Sequence, residues 1–196
     1  MATRGRPRGF DRDLALHKIM EVFWAKGYEG AQLNDLTAAI GIAPPSFYAA
    51  FGSKEQAFRE AVGLYVATVG SGSMRALEAG ETARQAIRAM LLASIDIALG
   101  APQSNGCLLI LGVMNCQPEI GPLYDLLKGL RKETVERVRA RLARGVADGE
   151  LPQTTDTATL ANYYGAIMQA ISMQARDGAT RQKLEALVQP SLAALQ

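Results

Sequence analysis

At 196 residues the chain can bury a sizeable core, as one domain or two small ones. Hydrophobic residues make up 48%, Ala and Leu dominate, and no alternating β-branched run occurs, so the expected fold class is all-α. A net charge of +2 is too small for a general nucleic-acid coat, and two cysteines are too few for a disulfide framework. No apolar run reaches the roughly eighteen residues of a membrane span, and the basic start lacks the apolar stretch of a signal peptide. The expectation is a soluble, cytoplasmic protein with no membrane partner.

Residues 1–8, MATRGRPR, crowd Arg4, Arg6 and Arg8 together with no acid among them. They read either as a solvated tail or as a flexible basic arm that reaches DNA phosphates or a minor groove. A first helix is expected from about Asp11 to Lys26, where Leu16, Ile19, Met20 and Phe23 form a stripe, Asp11 can cap and Gly27 can stop it. Trp24 and Tyr28 read as core. His17, the only histidine, has no second ligand near it in sequence.

Between Leu33 and Lys54 two short helices are joined by a tight turn. Leu36, Ala39 and Ile40 share one face of the first, and Gly41 supplies the turn. Pro45 biases Pro44 away from the α region, so the second helix is expected to begin at Pro45. Phe47 and Phe51 then face inward, leaving Ser46, Tyr48 and Ala49 outward. This is a helix-turn-helix whose second helix is short enough for a major groove. Gln32 is a poor cap ahead of the first of these helices, which predicts a start weaker by about 1 kcal/mol. Ser53 and Gln56 form a capping box for the next helix, and Lys54 occupies its first position.

The stretch GYEGAQLNDLTAAIGIAPPSFYAAFGSKEQAF, from Gly27 to Phe58, resembles the DNA-binding domain of the TetR/AcrR family of bacterial transcriptional regulators. Gly41, Pro45, Ser46, Tyr48, Phe51 and Lys54 carry the sharpest part of the likeness, which covers roughly the first third of the chain. The resemblance implies a three-helix DNA-binding domain over 9–54 and a helical ligand-binding and dimerisation domain over 55–196. It further implies that Ala43, Pro44, Ser46, Ala49 and at the edge Ala50 face bases, with Pro45 in the same DNA-binding set, while Tyr48, Lys54 and the arm's arginines grip phosphates. Relatives usually carry Ser or Thr where this chain has Gln32, so one hydroxyl–phosphate contact is in doubt. None of the base-facing residues can form a bidentate Arg–guanine or Asn–adenine pair. Methyl contacts, DNA shape and the arm are left to carry specificity.

Beyond Ser53 the apolar stripe Ala57, Phe58, Ala61, Val62, Tyr65, Val66, Val69 continues to Gly70 and Gly72, which either loosen the helix or end it. Thr82 and Gln85 cap a helix stopped by Gly100 and Pro102. A short apolar helix is expected from Cys107 to Gln117, then a long one opened by Pro122 and ending near Gly149 with a basic outer face. Asp156 caps another helix, and a last one carries Leu184 to Leu195. In the resembled family these helices surround a pocket, which implicates Tyr65, Met90, Ile95, Leu109, Met114, Tyr163, Tyr164 and Met168. The same side chains also suit plain core. Ile171, Leu184, Leu187, Val188, Leu192 and Leu195 are the expected dimer face, with an intramolecular core stripe as the alternative. Cys107 and Cys116 fall on different faces of a helix, and are read as buried structural residues or as a thiol or soft-metal sensor.

The expected function is a ligand-responsive transcriptional regulator, a repressor that binds a near-palindromic DNA operator as a homodimer. A small apolar or amphipathic effector releases it, and the long helix from Ser53 acts as lever. No cofactor, metal or catalytic residue is expected. A DNA-organising or division-control protein on the same fold is the alternative. A helical enzyme lacks support, since no acid pair, nucleophile constellation or phosphate loop occurs.

Overall fold

The computed structural model describes residues 11–100, 105–114 and 120–195, and among them every regular element is helical. Helix α1 (Arg12–Gly30) starts where the Asp11 carboxylate accepts the Asp13 and Leu14 N–H groups. It breaks inside its last turn at Gly27, whose φ of 68° only glycine adopts cheaply. The break lets the Tyr28 N–H donate to the Gly112 carbonyl at 2.7 Å, far along the chain.

Helices α2 (Leu33–Ile40) and α3 (Pro44–Phe51) meet at Gly41, in the left-handed conformation at φ 71°, ψ 34°. Helix α3 begins one residue earlier than expected. Both prolines fit its first turn, where a missing N–H removes no intrahelical bond. The start of α2 is also better closed than Gln32 suggested. The Asp35 carboxylate accepts the Gln32 N–H at 2.8 Å and the Lys26 ammonium at 2.5 Å. An acid in the first turn thus does from inside what the cap residue was expected to do.

Helix α4 (Lys54–Ala67), capped by Ser53, ends before the expected glycines, and a 3-10 turn (Val69–Ser71) leads into α5 (Gly72–Ala79). The chain continues through α6 (Ala83–Leu99), the single turn α7 (Leu108–Leu111), the long α8 (Gly121–Ala147) and α9 (Thr157–Arg176). The expected last helix is two pieces, α10 (Arg181–Glu185) and α11 (Val188–Ala193). Pro190 explains the break, because it cannot donate to Ala186 four residues back. Of the short helix expected over 107–117, only 108–111 is helical among the described residues, and 115–119, with Cys116, lie outside them.

Two cores result. The first joins α1–α4 to α7 and the start of α8, around Phe23, Phe47, Phe51, Phe58 and Tyr65. It draws Leu108, Val113, Leu123 and Leu127 into the packing of α1–α4. The second joins α5, α6, the rest of α8 and α9–α11, around Ile87, Met90, Leu91, Leu142 and Tyr164. At its far end the buried Arg141 pairs with Glu150 at 3.3 Å and donates to the Glu81 carbonyl, tying the α5–α6 turn to the end of α8.

Candidate DNA-binding face and effector cavity

The amphipathic split of α3 is complete. Phe47 and Phe51 are buried, whereas Ala43, Pro44, Pro45, Ser46, Tyr48 and Ala49 are all exposed. Tyr48 stands 49% exposed beside the Phe47 ring, which it meets edge-on at 5.8 Å. The side chains exposed around it on this face are all small. Arg12 braces this helix in a way the sequence did not signal. Its guanidinium lies 4.8 Å over the Phe51 ring, donates to the Ala50 carbonyl and pairs with Glu60 at 2.7 Å. The side chain therefore pins the end of α3 to α1 and α4 at once.

Lys54 lies at the start of α4 with its ammonium 4.4 Å over the Tyr28 ring. Burial there lowers the ammonium's pKa, with Glu29 and Asp35 acting in the opposite sense. Its head group is held against the reading head rather than waving in solvent. Arg4, Arg6 and Arg8 lie outside the described residues.

A second feature sits between the cores. A cavity with about 70 Å³ open to water is lined on its apolar side by Met74, Ile97, Leu109, Ile110, Val135 and Met168. The space has room for several waters, by the measure of about 10–15 Å³ for one. Its polar lining comes from Ser73, Ser94, Cys107, Arg131, Thr134 and Ser172, among others.

Of the expected pocket residues, Leu109 and Met168 line this cavity. Tyr65 stands one layer behind, its hydroxyl donating to the Cys107 Sγ at 3.3 Å. Met90, Ile95 and Tyr164 are instead packed in the second core, and the Tyr164 hydroxyl donates to the Ser191 carbonyl at 3.0 Å. Met114 and Tyr163 point outward, 54% and 36% exposed. The Met and Tyr of these helices thus fill core or surface more than they line space. Arg131 and Thr134, one turn apart on α8, were hidden within its basic face. Ser94 and Ser172 were signalled only as single hydroxyls among apolar neighbours.

Burial raises the pKa of the Cys107 thiol, against the Tyr65 hydrogen bond and the nearby Arg131 charge. The thiol form is favoured at neutral pH. Tyr65 is likewise pushed well up, first by burial and then by Cys107.

The segment 105–113 joins cavity and head. Cys107, Leu109 and Ile110 line the cavity, while Leu108 and Val113 belong to the head's core. The Trp24 indole N–H donates to the Gly106 carbonyl at 2.7 Å, and the Cys107 N–H to the Ser172 hydroxyl at 2.7 Å. Arg176, at the end of α9, donates to the carbonyls of Asn105, Ala25 and Trp24. Besides α4, the expected lever, this shorter segment therefore also runs between cavity and head.

The expected dimer residues lie within the chain's own packing, as the intramolecular alternative has it. Ile171, Leu184, Val188, Leu192 and Leu195 are buried within one protomer's second core, and Leu187 packs against its edge. Their stripe faces α6 and is already covered. The outer side of α9 is different: Asn162, Tyr163, Ala166 and Met173 are exposed, and no charged residue occurs between Thr157 and Ala175.

Residues 15–61 match the model of the tetR family of bacterial regulatory proteins, and 83–190 match that of the tetracyclin repressor-like C-terminal domain. The HTH-type transcriptional repressor ComR of Escherichia coli K12 is 33% identical over 93% of this chain and 87% of its own. The HTH-type transcriptional regulator YezE of Bacillus subtilis 168 is 30% identical over 97% of this chain and 99% of its own. Among solved structures, a cysteine mutant of the TetR-family regulator CifR, complexed with 26-bp operator DNA, superposes with a TM-score of 0.92. It is 40% identical and covers 97% of this chain and 100% of its own. On both halves, this chain belongs to the TetR family of bacterial regulatory proteins.

Proposed function

We propose that this chain is a ligand-responsive transcriptional repressor that acts in the cytoplasm without catalysing a reaction. A homodimer binds a near-palindromic operator through two copies of α3, set about 34–36 Å apart to meet successive major grooves. A small apolar or amphipathic effector in the cavity shifts the dimer to a state whose α3 helices no longer match the half-sites. The observation that carries this reading is the joint layout of the two sites. An exposed small-residue face on α3 stands at one end of the first core, and segment 105–113 connects that core to a lined cavity.

In this reading residues 9–54 are the DNA-binding unit, residues 55–196 carry effector and dimer functions, and residues 1–8 add a basic arm. Tyr48, Lys54, Arg4, Arg6 and Arg8 contact phosphates. Ala43, Pro44, Pro45, Ser46 and Ala49 approach base edges, where their methyl and methylene groups suit thymine methyls. Specificity then leans on DNA shape, and base substitutions at G·C pairs cost less than disruption of A·T steps. The uncharged outer side of α9 supplies the dimer contact in place of the buried leucines. The test is recovery of genomic fragments bound by the native protein and by Tyr48→Ala. A few near-palindromic sites lost in the variant are expected. No enrichment, or enrichment indifferent to the substitution, overturns the reading.

A further inference from the structure

The cavity has a chemical polarity of its own. Among the described residues that line it, Arg131 is the only charged one, and no Asp or Glu faces the space. The rest of the lining is uncharged, apolar at Met74, Ile97, Leu109, Ile110, Val135 and Met168 and otherwise mostly hydroxyl, thiol and amide side chains. A half-buried cation facing a largely apolar, otherwise uncharged cavity, with no acid among the described lining residues, favours an anion and disfavours a second cation. Of the guanidinium's several N–H donors, one goes to the Leu109 carbonyl at 2.6 Å, and the group sits 5.7 Å from the Tyr124 ring. Its planar fork matches the two oxygens of a carboxylate.

We propose that the effector is a small carboxylic acid with an apolar body, held by a bidentate pair to Arg131. The proposal rests on the effector reading above and names its ligand class. The carboxylate competes with the Leu109 carbonyl for the Arg131 donors. Leu109 lies between Gly106, which takes the Trp24 indole N–H, and Gly112, which takes the Tyr28 N–H. A ligand that draws Arg131 off Leu109 therefore acts on the backbone segment whose Gly106 and Gly112 carbonyls accept from α1. The small open volume selects compact acids and excludes long-chain ones unless the walls repack.

The experiment uses the full chain with benzoate and hexanoate as probes, and benzamide and benzylamine as uncharged and cationic counterparts of benzoate. Calorimetry and thermal melting read binding without DNA. Saturable binding of at least one acid is expected, with benzamide weaker by about tenfold or more and benzylamine not binding, as the loss of a charge-assisted pair dictates. Arg131→Gln loses acid binding by about the same factor while keeping native helix content. Arg131→Lys keeps the charge without the fork and falls between the two. Failure of both acids to bind, equal binding of benzylamine, or undiminished acid binding by Arg131→Gln overturns the proposal. The Tyr48-dependent recovery of DNA fragments separates the two levels. DNA recovery retained without acid binding sinks the ligand class alone, whereas acid binding without DNA recovery sinks the repressor reading and leaves the site. Where both hold, saturating acid lowers recovery by the native protein and leaves that by Arg131→Gln unchanged.

Discussion

The two cores are built from different side chains, and the difference matches their tasks. The head core is an aromatic lattice. Phe23 meets Phe58 edge-on at 5.0 Å, Tyr28 meets Phe58 at 5.2 Å, and Trp24 meets Tyr65 at 5.1 Å. Such rings have narrow preferences in orientation, and a helix packed on them is held in one pose. The second core is largely aliphatic, with Met74, Leu77, Ile87, Met90, Leu91 and Leu142, and the cavity opens between it and the head. Methionine and leucine change rotamer at lower cost, so this side can repack around a ligand. Under the proposed function, this joins a firmly packed reading head to a sensing side that can repack.

The sharpest way to break that contrast is to remove a ring from the lattice. Phe58 is fully buried and touches both Phe23 and Tyr28. Phe58→Ala is expected to cost about 3–5 kcal/mol in urea unfolding. Leu91→Met in the second core keeps its volume and should cost less than about 1.5 kcal/mol. Similar costs for the two would mean that the aliphatic core is no more forgiving than the aromatic one.

A smaller effect is expected at the junction between them. Trp24→Phe keeps a ring in the lattice but removes the donor to Gly106, leaving a carbonyl beside the cavity segment without its partner. A loss of about 1–3 kcal/mol is expected. Faster amide exchange at residues 106–113 than in Leu91→Met is the accompanying sign. Gly27→Ala tests the same junction from the backbone. Its φ of 68° penalises any side chain, and a Cβ there would stand 3.3 Å from the Gly112 oxygen. With ψ at 174° the residue lies in a region that essentially only glycine enters, so the cost should be about 1–3 kcal/mol, and melting of the variant beside native protein checks it.

These positions also show what the residues reveal before any coordinates. The head is legible because its signals are local: Gly41 for the turn, paired prolines for a helix start, Ser53 for a cap, and Phe47 and Phe51 one turn apart. The second region shows its helices through apolar stripes, yet a stripe states only that a face is covered. Leu184, Val188 and Leu192 carry such a stripe, and whether α6 or another subunit covers it depends on contacts remote in sequence. The cavity was legible at Leu109 and Met168 and obscure at Arg131. One arginine among Lys128, Lys132 and other basic residues of α8 carries no mark of which faces inward. Gln32 misled for a related reason: the acid that closes α2 stands three residues on, and its partner Lys26 comes from the helix before.

That closure gives the smallest expected effect and the one with a defined pH window. The Asp35 carboxyl is held below 3.8, its ordinary value, chiefly by the Lys26 hydrogen bond and then by the Gln32 N–H. A carboxyl whose folded pKa is depressed binds its proton more readily in the unfolded chain. Its contribution is therefore complete above the ordinary value and is lost as pH falls through the lower folded value. Native protein should exceed Asp35→Asn in stability by a constant margin at neutral pH, and the margin should shrink only in strong acid. Added salt should reduce it as well, since both partners are partly open to solvent. A margin that closes already near neutral pH would mean that some group other than Asp35 holds the start of α2, and that the turn presenting α3 is set elsewhere.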